Sequence, residues 1–236
     1  MEKKYLFFDI DGTLTDRSTG EIVPSAREAL TRLEENGHFV AIATGRAHYK
    51  ARKFTDANGF KNMVCCGGNG CVIDNELVEN IPLDKDGCIK IIHQAEELGY
   101  GWCVALDDTK DVYMTDDKFL RQVGKRKEPT RYIIDDMLEV EKADAIYKVY
   151  VAIPKEDEEK LTTKELVGHL RFEPEYLMFQ PDNKRGGIIK MMEHLNADIK
   201  DVVVFGDDYN DMDMFCPEWF SIAMGNACQD LKDIAN

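Results

Sequence analysis

Two aspartates one residue apart, Asp9 and Asp11, are followed by Gly12 and Thr13 and preceded by the apolar run Tyr5-Leu6-Phe7-Phe8. On an extended chain residues i and i+2 point to the same side, so the two carboxylates converge where the strand runs out. Gly12 lets the backbone turn there at little steric cost. Two such carboxylates repel unless a hard cation such as Mg²⁺, or a proton, answers their charge. Asp and Gly are also ordinary turn residues, and a bare Asp-x-Asp-Gly would read as a solvated turn. A second acidic group, Gly206-Asp207-Asp208-Tyr209-Asn210-Asp211, follows the apolar run Val202 to Phe205. It offers a second half-site for a hard cation, or an acidic turn that caps the next helix.

Three further stretches could serve the same centre. Thr44-Gly45-Arg46 ends another apolar run, where a hydroxyl and a free backbone N–H can hold a phosphoryl oxygen. Thr44 could equally cap a helix, and Arg46 could read substrate charge or lie on the surface. Gly67-Gly68-Asn69-Gly70 is first of all a turn. Lys184, within Asp182-Asn183-Lys184-Arg185-Gly186-Gly187, precedes a helix with apolar residues at Ile188, Met192 and Leu195.

The elements that must carry these residues alternate. The spacing predicts strands at Tyr5–Ile10, Phe39–Ala43, Met63–Cys66 and Val202–Phe205, the continuous apolar runs expected of a parallel sheet covered on both faces. A helix opens at Ser25 with Glu28 as a capping box and stops at Asn36-Gly37, and another runs to about Asn58. Cys71 to Ile73 and Leu77 to Leu83 read as a strand and a return strand. From about Leu83 to Asp182 the alternation breaks. Gly87–Leu98 reads as a helix, Trp102–Leu106 with Asp111–Thr115 as a hairpin, and Ile146–Ile153 and Tyr176–Gln180 as strands. The basic stretch Arg121 to Arg131 reads as a solvated face among dense opposite charges. Mixed antiparallel strands and helices indicate an α+β insert.

The chain has 236 residues, enough for a core and a smaller inserted domain. A net charge of −15 argues against nucleic acid or anionic membrane as the main partner. It leaves a phosphate ester open, since a bound metal reverses the local field. No apolar run reaches the length of a membrane span. The start, MEKKYLFFDIDG, is interrupted by aspartates too early for a signal segment. Seven cysteines without a CxxC pair indicate neither a disulfide framework nor a zinc site, and buried thiols in a reducing cytoplasm are expected.

The string YLFFDIDGTL resembles the first motif of the haloacid dehalogenase (HAD) superfamily. Thr44-Gly45-Arg46, Lys184 and GDDYND after VVVF resemble the second, third and fourth, Phe220 to Ala227 also resembles the family, and Asn69-Gly70 resembles its Cof-type branch. Arg185 stands where the family more often has Gly. The resemblance implies a Rossmann-like three-layer α/β core with a mainly parallel sheet, over 1–82 and 183–236, and an inserted α+β cap over 83–182. It implies a Mg²⁺-dependent phosphatase for a small phosphate monoester, such as a sugar phosphate. Asp9 would be the nucleophile and Asp11 the general acid/base. Lys184 would pair the charges of nucleophile and phosphate. Asp9, Asp207 and the Asp11 carbonyl would hold the metal, and Asp211 would ligate it or orient its water. Thr44, Gly45, Arg46 and Asn69 would lie at the phosphate, with Asn210 supporting the loop. Cof-type chains usually continue into another short strand and helix beyond the point corresponding to Asn236. A phosphomutase on the same core and a non-catalytic regulatory protein are the alternatives.

Overall fold

The computed structural model describes residues 2–126 and 130–236. They fall into two compact units, one from Met1–Asn80 with Asp182–Asn236, the other from Ile81–Pro181.

The first unit runs β1 (Tyr5–Phe8), α1 (Pro24–Glu35), β2 (Phe39–Ala43), α2 (His48–Asn58), β3 (Met63–Cys65), β4 (Gly70–Ile73) and β5 (Glu76–Asn80). The second unit holds α3 (Lys85–Glu97), β6 (Trp102–Ala105), β7 (Asp111–Met114), α4 (Lys118–Val123), β8 (Arg131–Ile134), β9 (Lys148–Val151), β10 (His169–Glu173) and β11 (Tyr176–Phe179). The chain then returns to the first unit with α5 (Lys184–His194), β12 (Val202–Gly206), β13 (Phe220–Ala223) and α6 (Gln229–Ile234).

In the first unit the strand order is β13-β12-β1-β2-β3-β4-β5. The pairs from β13 to β3 are parallel, and β4 and β5 add antiparallel. Strand alternation sorts the side chains into two cores. Phe7, Ala41, Ala43, Val202 and Val204 face Ile188, Met191 and Met192 of α5 and Leu231 of α6. Leu6, Phe8, Val40 and Ile42 face Leu30 of α1 and Ala51 of α2. This is the expected three-layer arrangement, and full burial of one such side chain stabilises by roughly 1.5–3 kcal/mol. The register sets Phe8 beside Phe205 and Ile42, so β1, β2 and β12 end at nearly the same level. Asp9 donates its N–H to the Phe205 carbonyl, which extends that pairing one residue further.

The second unit has strand order β10-β11-β9-β6-β7-β8, antiparallel except for β7 with β8. One sheet face, with Trp102, Val104, Val149, Val151, Leu177 and Phe179, receives Cys88, Ile91, Ile92 and Ala95 of α3. The other carries Cys103, Ala105, Tyr150 and Met178 against Phe119 of α4.

Several local expectations are corrected. The capping box at Ser25 and Glu28 does not form. Pro24 occupies the first helical turn, so α1 starts a residue early, with Val23 at the cap and no side-chain cap bond. The strand expected to Cys66 stops at Cys65, because Cys66 has φ +53°. α3 begins at Lys85, before Gly87, because Asp84 accepts the Gly87 N–H as its cap. Strands β8 and β10 were not anticipated. Part of the basic stretch, 127–129, lies outside the described residues. Of the rest, Arg121 and Arg131 pair with Asp117 and Asp111, as a solvated face would. Arg126 instead lies 3.7 Å over the Tyr150 ring and donates to the Tyr132 hydroxyl.

Candidate active site

The site is built at the carboxyl ends of β1 and β12 and the start of α5, all in the first unit. Asp9, Asp207 and Asp211 are buried, and each offers a carboxylate oxygen within 4.8 Å of the others'. Lys184, the first residue of α5, is almost wholly buried; its ammonium donates to Asp9 Oδ1 at 2.8 Å and to Asp211 Oδ1 at 2.6 Å. Asn183 places it. Its side chain caps α5 by accepting the Gly186 N–H, and its own N–H donates to the Gly67 carbonyl at 2.8 Å. The turn after β3 seats against this helix start so closely that a Cβ on Gly68 would lie 1.9 Å from the Asn183 carbonyl oxygen.

Asp211 does more than offer an acid. Its Oδ2 accepts the N–H groups of Asp207 and Asp208, at 2.9 and 3.2 Å. Asp208 caps the short 3₁₀ turn Tyr209–Met214, where a full α-helix is absent. The capping expected of this acidic loop is therefore present, at Asp208. Asp207 Oδ1 accepts the Thr13 hydroxyl at 3.0 Å. Its Oδ2 accepts Arg17 at 2.6 Å and the Asn226 amide at 3.1 Å. Asn226 also donates to the Gly12 carbonyl, tying the turns after β1 and β13 together.

Electrostatics follow from this burial. Burial pushes the Asp9 carboxyl up to about 6; Asp211 and Asp11 act in the same sense, and Lys184 opposes them. Burial pulls Lys184 down, but Asp9 and Asp211 together outweigh it and hold the ammonium above its ordinary value. Burial also raises Asp213, two residues beyond Asp211, to about 6.

The remaining residues are placed as follows. The Asp11 carboxylate does not join the buried acids. Its side chain is 62% exposed and is gripped by Arg46, whose Nη2 reaches Oδ1 at 2.6 Å and whose Nε reaches Oδ2 at 3.2 Å. Arg46 also stacks over Phe54. Thr44 is buried at the tip of β2, but its N–H is not free. The ladder with β3 continues one residue past the strand, so that N–H donates to the Val64 carbonyl at 2.9 Å. The Thr44 hydroxyl accepts the Arg46 N–H, as a capping side chain would. Gly45 lies between them, half-buried. Asn69 ends the turn after β3, and Asn210 lies on the 3₁₀ turn; both are half-buried. Asn183, Asn226 and Arg17 were missed. Asn183 carried a signal, an Asn directly before a helix; Arg17 sits in a polar loop with none.

A family model for haloacid dehalogenase-like hydrolases matches residues 6–236. The chain belongs to that family, in its Cof-type branch. It is 29% identical to YkrA of Bacillus subtilis, whose own phosphatase name is provisional, covering all of this chain and 91% of that one. It is 28% identical to the pyridoxal phosphate phosphatase YbhA of Escherichia coli, covering all of this chain and 93% of that one. A phosphoglycolate phosphatase of Archaeoglobus fulgidus is also 28% identical, over 99% of this chain and 88% of that one. Among solved structures, a protein from Geobacillus kaustophilus superposes with a TM-score of 0.81 at 27% identity, over all of this chain and 92% of the other. A subclass IIB sugar phosphatase, BT4131, gives a TM-score of 0.76 at 23% identity, over 99% of this chain and 92% of the other, and shares the fold. The protein is a hydrolase of the phosphatase type. Among the described residues no helix is long and apolar enough to cross a membrane.

Proposed function

We propose that the protein hydrolyses a small phosphate monoester with Mg²⁺ and forms an aspartyl-phosphate on Asp9. The observation that carries this reading is the Asp9 carboxylate. It is buried at a strand tip, held by Lys184, and shares one group with Asp207 and Asp211. Pyridoxal phosphate and phosphoglycolate, the substrates in the relatives' names, are such esters.

The donor set fits a hard divalent cation. Three carboxylates are gathered and buried, and the one buried ammonium among them leaves excess negative charge. Asp9, Asp207 and the Asp11 main-chain carbonyl would hold the ion, with Asp211 ligating it or orienting its water. When bound, Mg²⁺ supplies positive charge against the phosphate and a template for its orientation.

The chain's own residues do the rest. Lys184 holds Asp9 at one oxygen, which aims the other and keeps the buried carboxylate ionised. That free oxygen attacks phosphorus as the ester oxygen departs, and Asp11 gives the departing oxygen a proton. Asp11, now a carboxylate, takes a proton from the water that attacks the aspartyl-phosphate. Inorganic phosphate leaves and Asp9 is restored. For the first transfer Asp11 must give up its bidentate hold on Arg46, whose guanidinium then turns to the charge of the substrate. The Thr44 hydroxyl and the Gly45 backbone would hold transferring oxygens, with Asn69 beside them and Asn210 supporting the acidic loop. The unit Ile81–Pro181 would choose among esters.

The test is an acid quench of the enzyme turning over ³²P-labelled phosphomonoester. Label should be recovered on the Asp9 peptide and be absent from Asp9→Asn. Turnover should stop in chelator and return with Mg²⁺. Label on another residue, or undiminished turnover in chelator, overturns the reading.

A further inference from the structure

Lys184 neutralises Asp9 and Asp211, and nothing in that pair of contacts serves Asp207. The cation on Asp207 is Arg17. One of its terminal nitrogens lies 2.6 Å from Asp207 Oδ2 and 2.8 Å from Asp208 Oδ2. The Arg17 side chain is 57% exposed while that of Asp207 is fully buried, so the guanidinium reaches the site from the solvent side.

The loop that carries Arg17 is anchored in its backbone. Thr15 bridges to Asp11 and to Ile22. Asp16 donates its N–H to Glu21, accepts that of Gly20, and takes the Ser18 N–H on its carboxylate at 2.7 Å. The turn at Gly12 closes over the pair. Its φ is +100°, and a Cβ there would meet Asp207 Oδ2 at 2.2 Å and Arg17 Nε at 2.5 Å. The main chain thus brings the arginine to the carboxylate, and the exposed guanidinium remains free to withdraw.

We infer that Arg17 is a positioning residue that holds the Asp207 carboxylate, competes with the divalent cation for it, and thereby sets the affinity of the centre for metal. The inference rests on the Mg²⁺ reading above. A guanidinium and a divalent cation on one carboxylate repel each other whichever oxygen each takes, so metal entry weakens the Arg17 contact and favours its move onto Asp208 or into solvent. Asp208 is suited to receive it. It already shares the same nitrogen and is half-exposed.

The test is calorimetric titration of Mg²⁺ alone into metal-stripped protein: wild type, Arg17→Met, Arg17→Gln and Arg17→Lys. Loss of the charge should tighten Mg²⁺ binding on the order of five- to tenfold, the effect of one unit charge screened as in water, as expected for a guanidinium that withdraws toward solvent. Lys should stay close to wild type, and the difference should shrink in 1 M salt. Metal-free Arg17→Met should melt below wild type and gain more from added Mg²⁺. Binding unchanged or weaker in both neutral variants, with wild type binding normally, overturns this inference and leaves the Mg²⁺ reading standing. No Mg²⁺ binding by wild type removes both.

Discussion

Lys184 shows how much one side chain can hold. It satisfies two buried carboxylates at once, and its removal leaves both without a counter-charge. Breaking a buried pair from one side typically costs about 3–5 kcal/mol. Lys184→Met should therefore lower the unfolding free energy of metal-free protein by about that much, as read by urea denaturation, and Mg²⁺ should recover part of the loss. A loss under about 1 kcal/mol would mean that Asp9 and Asp211 are paired by other means. At this scale the acids stood out by their place after apolar runs, and the lysine by its likeness to a family motif. The sequence could not name their partners. That Asp11 grips Arg46 and Asp207 grips Arg17 depends on which loops close over which strand ends, and these residues are 35 and 190 positions apart.

Among the elements, the central strands β1, β2, β3 and β12 were legible because both their faces are largely covered, which leaves continuous apolar runs. β10 was hidden for the opposite reason. Phe172 is exposed there while Arg171 points into shelter, so the polar and apolar positions are inverted. Arg171 holds the carbonyls of Ile153, Glu173, Pro174 and Tyr176 and the carboxylate of Glu158, and a strand pattern has no place for a charge used that way. The turn after β3 was read as a turn, but its contact with the start of α5 was not visible. Gly68→Ala tests that contact. With φ at +104° and the Asn183 carbonyl 1.9 Å from the added carbon, the helix start must shift and take Lys184 with it. A displacement near 1 Å can cost about 10²-fold in rate. The variant should lose about that much kcat while circular dichroism stays native; an unchanged kcat would show that the helix start yields without moving Lys184.

For the whole molecule the telling fact is that each hydrophobic core belongs to one unit. The clusters around α3 and α4 draw only on Ile81–Pro181, and those around β1 only on the flanking segments. A fragment of residues 81–181 expressed alone should therefore unfold in a single cooperative transition, followed by tryptophan fluorescence at Trp102. A fragment without a cooperative transition would mean that the inserted unit needs the rest of the chain to fold.

The strand order has a consequence for synthesis. Five strands of the first sheet, β1 to β5, leave the ribosome within the first 80 residues, yet the second neighbour of β1 is β12, beginning at Val202. Until then the edge of β1 that will receive β12 has no partner, while the intervening hundred residues can complete a fold of their own. Asp9 is translated long before Lys184, Asp207 and Asp211, with which it is gathered in the fold. A nascent chain thus carries the Asp9 carboxylate through the synthesis of the intervening unit without the charges that later surround it, and the cluster is assembled only once β12 has been made.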